Sequence, residues 1–145
     1  MLNRLVYFSE RLCSDEDLRA IMAAAAPRNK ARNVTGLLVA DETSFIQILE
    51  GPRNAVSGLF QEIARDPRHR ELTLVEMVEI AAPSYPRWGM AHVSEPAKVE
   101  AAWQRIVRSR MSPCSLNVMQ LRGLLKIALG DAVIQPQPQA IAAVA

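Results

Sequence analysis

The sequence predicts an α+β fold built on one antiparallel sheet, and three features carry that expectation. Ser44-Phe45-Ile46-Gln47-Ile48-Leu49-Glu50-Gly51-Pro52 is a strand apolar on both sides, with Phe45, Gln47 and Leu49 pointing one way and Ile46 and Ile48 the other. Val34-Thr35-Gly36-Leu37-Leu38-Val39-Ala40 precedes it across the tight turn Asp41-Glu42-Thr43, which makes an antiparallel hairpin. Two stretches of helical periodicity, Leu18/Ile21/Met22/Ala25 and Val56/Leu59/Phe60/Ile63, fall between the strands.

In chain order, Asn3 to Phe8 is a short strand with Leu5 and Tyr7 on one face and Val6 and Phe8 on the other. Ser14-Asp15-Glu16-Asp17 opens a helix, because Ser14 can cap free amides and acids in the first turn suit the helix dipole. Pro27 is expected to stop it, leaving Arg28 to Asn33 as a polar connector before the hairpin. Gly51-Pro52 ends the central strand, a second helix begins near Asn54, and Asp66-Pro67 closes it. Leu72 to Ile80 is a fourth strand and Arg87 to Val93 a fifth, separated by a loop with two prolines. The order strand, helix, strand, strand, helix, strand, strand is a ferredoxin-like sheet (βαββαββ) with two helices on one face. Val99 to Met111 and Ser115 to Leu129 read as two amphipathic helices joined around Pro113, expected to cover the opposite face. The domain expectation is therefore 1–94 for the sheet unit, 95–130 for a C-terminal helical extension, and 131–145 for a flexible tail rich in glutamine, proline and alanine.

A chain of 145 residues, half of them hydrophobic, suits one domain with a real core. Seventeen basic against fifteen acidic residues leave a formal charge of +2, and the basic residues are spread without interleaved aromatics, which argues against direct nucleic-acid binding. No apolar run approaches the roughly 20 residues of a membrane span. Leu5-Val6-Tyr7-Phe8 is interrupted at once by Ser9 and Glu10, so a signal-peptide core is lacking and a cytoplasmic protein is expected. Cys13 and Cys114 are far apart and outside any CxxC pair, and both read as free thiols.

No nucleophile constellation is present: Ser9 and Ser44 have no neighbouring His and acid in sequence, and there is no GxSxG, HExxH or phosphate-binding glycine loop. His69 and His92 lack metal-ligand spacing. No enzymatic activity is expected. What remains is a set of polar groups that the fold could gather on the helix-covered face: Tyr7, Asn29, Gln47, Arg68 and His69. Gln47 is a lone amide among apolar neighbours, and an unmatched buried polar group costs about 1–3 kcal/mol. It is either a core glutamine satisfied by nearby backbone or a group that addresses a bound planar molecule. Taken singly, Tyr7 is a half-buried strand tyrosine, Asn29 a loop cap, and Arg68 and His69 a solvated turn. Together, Tyr7 and Gln47 would set a phenol donor beside an amide, while Asn29 and Arg68 could grip the carbonyl and imide edges of a heterocycle.

Tyr7-Phe8-Ser9, Asn29 with Asn33-Val34-Thr35-Gly36, the strand Phe45 to Pro52, Asp66-Pro67-Arg68-His69 and Trp88-Gly89-Met90 resemble, in order and spacing, the successive signatures of the BLUF domain, the blue-light sensor using FAD. The resemblance runs from about Leu2 to Val93. It implies a non-covalently bound FAD whose isoalloxazine ring sits between the two helices, with Asn29, Arg68 and His69 matching the family's flavin-holding residues. Tyr7 and Gln47 match its photoactive pair. In the family, light lets the tyrosine give an electron and then a proton to the flavin, and recombination leaves the glutamine rearranged, with a small red shift of absorption. An amide suits this task because flipping or tautomerising it exchanges donor for acceptor without net charge change, whereas an ionised Glu only accepts. By resemblance Trp88 and Met90, with Ser9, relay the change, although ordinary core packing also accounts for the first two. Asn33 stands where the family usually has glycine; if that position needs positive φ, asparagine is the next most tolerant residue.

Without an attached effector, such a sensor is expected to signal through its C-terminal helices, as a homo-oligomer and through a downstream regulatory protein. Two other classes stay open at this point: a small enzyme on the same fold, acylphosphatase-like or a monooxygenase, and a light-independent ligand-binding or oligomerisation module. Arg11 is the only arginine placed to cradle a phosphate after the first strand, and no glycine-rich loop surrounds it.

Overall fold

In the computed structural model, residues 1–40, 42–84 and 91–92 are described. The chain runs β1 (Leu2–Arg11), α1 (Asp15–Ala31), β2 (Thr35–Ala40), β3 (Ser44–Pro52), α2 (Arg53–Ala64), β4 (His69–Ile80) and β5 (Ala91–His92). The sheet order is β4-β1-β3-β2-β5. β1 lies antiparallel between β3 and β4, β2 pairs antiparallel with β3, and β5 adds parallel to β2. This is the expected ferredoxin-like arrangement, with its fifth strand in place. The expected helices of 95–130, the tail, Trp88 and Met90 lie outside the described residues.

Alternation sorts the side chains as anticipated. Leu5, Tyr7, Leu38, Ala40, Phe45 and Leu49 form one cluster with Leu18, Met22 and Ala25 of α1 and Val56 and Leu59 of α2. On the other face Val6, Phe8, Leu37, Val39, Ile46 and Ile48 are each at most 3% exposed, so the sheet is shielded from water on both sides. β3 is buried from Ser44 through Gly51, which makes it the spine of the domain.

α1 departs from the expected boundaries. Ser14 caps it as anticipated: its hydroxyl oxygen accepts from the Asp17 amide, and Asp17 accepts from the Ser14 amide, a reciprocal cap. The helix then runs through Pro27 and ends four residues later, at Ala31. Proline removes one intrahelical bond and is expensive within a helix, at about 3 kcal/mol. What offsets this is the buried stripe Leu18, Met22, Ala25, Asn29, whose spacing continues across the proline; because its last member is polar, the apolar pattern in the sequence ends before the helix does. The Asn29 carbonyl closes the helix by accepting from Arg32 and Val34 amides at 3.0 and 2.9 Å. Asn33 then reverses the chain at φ 56°, the left-handed conformation that asparagine tolerates better than most residues.

β4 begins at His69 rather than Leu72, because Arg70 grips Glu10 of β1 at 2.7 and 2.8 Å and extends the ladder. Its register against β1 shifts twice, between Val6 and Tyr7 and between Phe8 and Glu10. In both places β4 holds the extra residue, and Glu71, in the second, has φ 53°. The two bulges bracket Tyr7 and Phe8.

Gly51 is where the hairpin presses on the end of α1: a Cβ there would stand 2.8 Å from the Asn33 carbonyl oxygen and 3.1 Å from Val34 Cγ2. Because the obstacle includes backbone, Gly51→Ala is expected to lower the unfolding free energy by roughly 1–3 kcal/mol. Urea denaturation checks this; an unchanged midpoint would mean that the β3 and Asn33 backbones part without cost.

Candidate functional site

The site follows from strand register. Tyr7 on β1 and Gln47 on β3 are directly opposed, and both point toward the helices. The Tyr7 hydroxyl donates to Gln47 Oε1. Both residues are at most 5% exposed, so this bond lies in a setting of low dielectric. A carboxamide oxygen only accepts, so every hydrogen bond that Gln47 donates comes from its amide nitrogen.

These two side chains form the floor of a cleft between α1, α2 and the sheet. Counting its solvent-facing mouth, it encloses about 620 Å³. Ile21, Ala24, Ala25 and Arg28 line it from α1; Glu62 and Ile63 from α2; Asp66, Arg68 and His69 from the segment that follows. Phe60 packs on the Tyr7 ring at 5.6 Å, and His69 stands edge-on to both Tyr7 and Phe45 at 6.2 and 6.3 Å.

Burial is the main force that pushes the Tyr7 hydroxyl well above its ordinary pKa; Arg28 pulls it back and Asp66 adds a smaller upward push. Tyr7 is therefore a neutral phenol at any physiological pH, with its proton shared toward Gln47. Around it the charges are paired in a definite way. Arg32 takes Glu62 at 2.9 Å. Arg68 takes Asp66 through its backbone amide at 2.9 Å and its guanidinium at 2.6 Å, which holds Asp66 below the usual carboxylate range. A carboxyl whose pKa is lowered by folding contributes above its unfolded pKa and loses that contribution as pH falls, so this turn is intact at neutral pH and loosens only in acid. Arg28 is the exception. Its Nε is buried with no hydrogen-bond partner among the described residues, and burial lowers its pKa while Glu62 supports its charge.

The sequence-derived candidates distribute unevenly. Tyr7, Gln47, Arg68 and His69 line the cleft. Asn29 is fully buried one residue behind Arg28 and is not among the lining residues. His69 has both ring nitrogens engaged: Nε2 faces the Ile63 carbonyl at 2.7 Å and Nδ1 the Ser9 hydroxyl at 2.8 Å. A carbonyl only accepts, so Nε2 carries the proton, and in the neutral ring Nδ1 receives the Ser9 hydroxyl. His69 thereby ties the end of α2 to β1, two residues from Tyr7. Arg28 was missed because a helix ending at Pro27 has no next turn; the series Ile21, Ala24, Ala25, Arg28 would have placed it on the cleft face.

The donor set suits FAD. An orphaned guanidinium N–H in the wall and a carboxamide in the floor match a planar ring edged with carbonyls and ring nitrogens, between helices whose lining is otherwise mostly apolar.

His69→Ala removes one partner from each of two part-buried groups and should cost about 1–3 kcal/mol of stability. Denaturation checks the cost; a wild-type midpoint would mean that Ser9 and Ile63 find other partners.

Comparison with known proteins places this geometry. The family profile BLUF, "Sensors of blue-light using FAD", matches residues 2–91. The photoactivated adenylate cyclase subunit beta of Euglena gracilis is 39% identical over 97 residues, covering 65% of this chain and 11% of that protein. The blue light- and temperature-regulated antirepressor BluF of Escherichia coli (strain K12) is 36% identical over 94 residues, 63% of this chain and 22% of that protein. The chain thus spans only a small part of these two relatives. Among solved structures, the BlsA ground state superposes with a TM-score of 0.79 at 28% identity over 92% of this chain and 91% of that one. The dark-state structure of BlrB, a BLUF protein, gives 0.72 at 33% identity over 89% of this chain and 96% of that one. The chain belongs to the BLUF family of blue-light sensors, and FAD is its cofactor.

Proposed function

We propose that this protein is a cytoplasmic blue-light switch whose working part is the Tyr7–Gln47 pair, and that it signals through a regulatory protein and its own assembly instead of catalysing a reaction. The observation that carries this is the buried bond from the Tyr7 hydroxyl to Gln47 Oε1 in the floor of the cleft. Bound FAD supplies absorption of blue light and acceptance of an electron.

Tyr7 is suited to donate. Its phenol is neutral and dry, and its proton already points at an acceptor, so electron loss and proton loss can occur together and no bare cation forms in a medium of low dielectric. Gln47 takes that proton at Oε1 as its amide nitrogen gives one up toward the ring, so the carboxamide stays neutral. When electron and proton have both returned to Tyr7, the carboxamide can settle with donor and acceptor exchanged, and the change in hydrogen bonding persists with no net charge created. Arg28 and Arg68 would hold polar edges of the ring from the α1 and β4 sides, with Asn29 directly behind Arg28. His69 keeps the Tyr7 ring and the end of α2 in place, and Ser9 sits on the same tie. Trp88 and Met90 are the proposed continuation of the relay, toward a C-terminal output surface and a homo-oligomer. The two long relatives carry regulatory names, a cyclase subunit and an antirepressor, which supports an output through other protein parts.

The test is spectral. The FAD-loaded chain should shift slightly to the red under blue light and recover in darkness, while Tyr7→Phe keeps its FAD and loses the shift entirely. A normal photocycle in Tyr7→Phe would remove Tyr7 as donor. Asn29→Ala should weaken FAD retention by about tenfold, the worth of one good hydrogen bond. Equilibrium dialysis against FAD reads this out, and wild-type retention would take Asn29 out of the site.

A further inference from the structure

Glu50 is fully buried and charged, and the light reaction described above does not use it. It lies three residues from Gln47 on β3, facing the other side of the sheet, the face whose buried core is made by Val6, Phe8, Leu37, Val39, Ile46 and Ile48. Directly across β1 it meets Arg4, in the same register that sets Tyr7 opposite Gln47. Two polar cross-strand pairs thus share one pair of strands, about 10 Å apart and on opposite faces.

The partners form a closed ring. Arg4 Nε donates to Glu50 Oε1 at 2.7 Å, the Ser84 backbone N–H donates to Glu50 Oε2 at 2.6 Å, and the second arm of Arg4 donates to Ser84 Oγ at 2.6 Å. Ser84 belongs to the connection that leaves β4 at one edge of the sheet and must reach β5 at the other. We propose that Glu50, Arg4 and Ser84 form a clasp that fastens this connection to the strand pair bearing Tyr7 and Gln47, and that rearrangement of the photoactive pair reaches the chain beyond Ser84 by opening it. The second half rests on the photoreceptor reading given above.

Two features favour a device with discrete states over simple packing. An apolar residue at position 50 would be cheaper to bury, and a buried pair that loses one member strands a charge, so the ring holds or opens as a unit. An alternative donor also stands ready: Thr35 is opposite Glu50 on β2, and its hydroxyl is buried with no hydrogen-bond partner among the described residues. A small displacement of β3 that releases Ser84 can hand a Glu50 oxygen to Thr35, which gives the open state a bond of its own.

The test uses the full FAD-loaded chain and reads amide hydrogen exchange at residues 81–84 and 91–92, in darkness and under blue light, beside the flavin spectrum. Glu50→Gln replaces one carboxylate oxygen by NH2 and sets donor against donor. It should raise dark exchange of the Ser84 amide about tenfold and keep the red shift, while the light-minus-dark exchange difference disappears. Ser84→Ala, which trims only an exposed hydroxyl, should give the same pattern in smaller measure and serves if Glu50→Gln fails to fold. A Glu50→Gln chain with the full light-induced exchange difference would overturn the proposal, and so would one that loses the red shift in parallel, which marks a merely structural part. A wild-type chain that holds FAD but shows no red shift would overturn the photoreceptor reading and the signalling half with it; the dark exchange of Glu50→Gln would still decide whether the clasp fastens.

Discussion

The antiparallel register of β1 against β3 is the constraint from which the rest follows. β3 is buried on both faces, so each polar side chain it carries must find its partner inside the protein, and the longer of the two runs of side chains directly opposite, that of β1, supplies it. Gln47 meets Tyr7 on the helix side and Glu50 meets Arg4 on the other. A one-residue slip would turn the phenol and the guanidinium to the wrong faces and strand both acceptors in the interior. The same alignment that builds the core therefore builds the site.

The electrostatic pattern around the cleft separates guanidinium groups gripped by a carboxylate from one whose buried N–H is unanswered among the described residues. Arg32 and Arg68 are each satisfied by a carboxylate of the rim, whereas Arg28 enters the wall with a buried N–H that the described residues do not answer. In a family whose members use FAD, the function proposed above makes that side chain the one left to meet the cofactor. His69, in contrast, spends both nitrogens on protein, and it contributes to the cleft by placement of rings.

Much of this was legible in the sequence, for identifiable reasons. Period-two alternation assigned both sheet faces correctly, since β1 and β3 alternate without interruption. Ser14 announced α1 because a cap is a local interaction, readable over four residues. The end of α1 was not readable, because the cost of Pro27 is local while the packing of Met22, Ala25 and Asn29 that outweighs it is tertiary; Arg28 was lost with that turn. The site was legible where it depends on two strands in register, Tyr7 and Gln47, and illegible where it depends on bonds between distant segments. His69 reading Ser9 across sixty residues is of that kind, and so is Ser84 folding back on Glu50.

The paired bulges of β4 have a mechanical consequence. An uninterrupted antiparallel ladder can glide along its neighbour by breaking and remaking equivalent bonds, but β4 is keyed to β1 by surplus residues on either side of Tyr7 and Phe8. Sliding would have to undo both keys at once. β4 and β1 consequently resist shifting against each other, which leaves shear within the sheet to the unkeyed seams, among them the one between β1 and β3 where the phenol and the carboxamide touch.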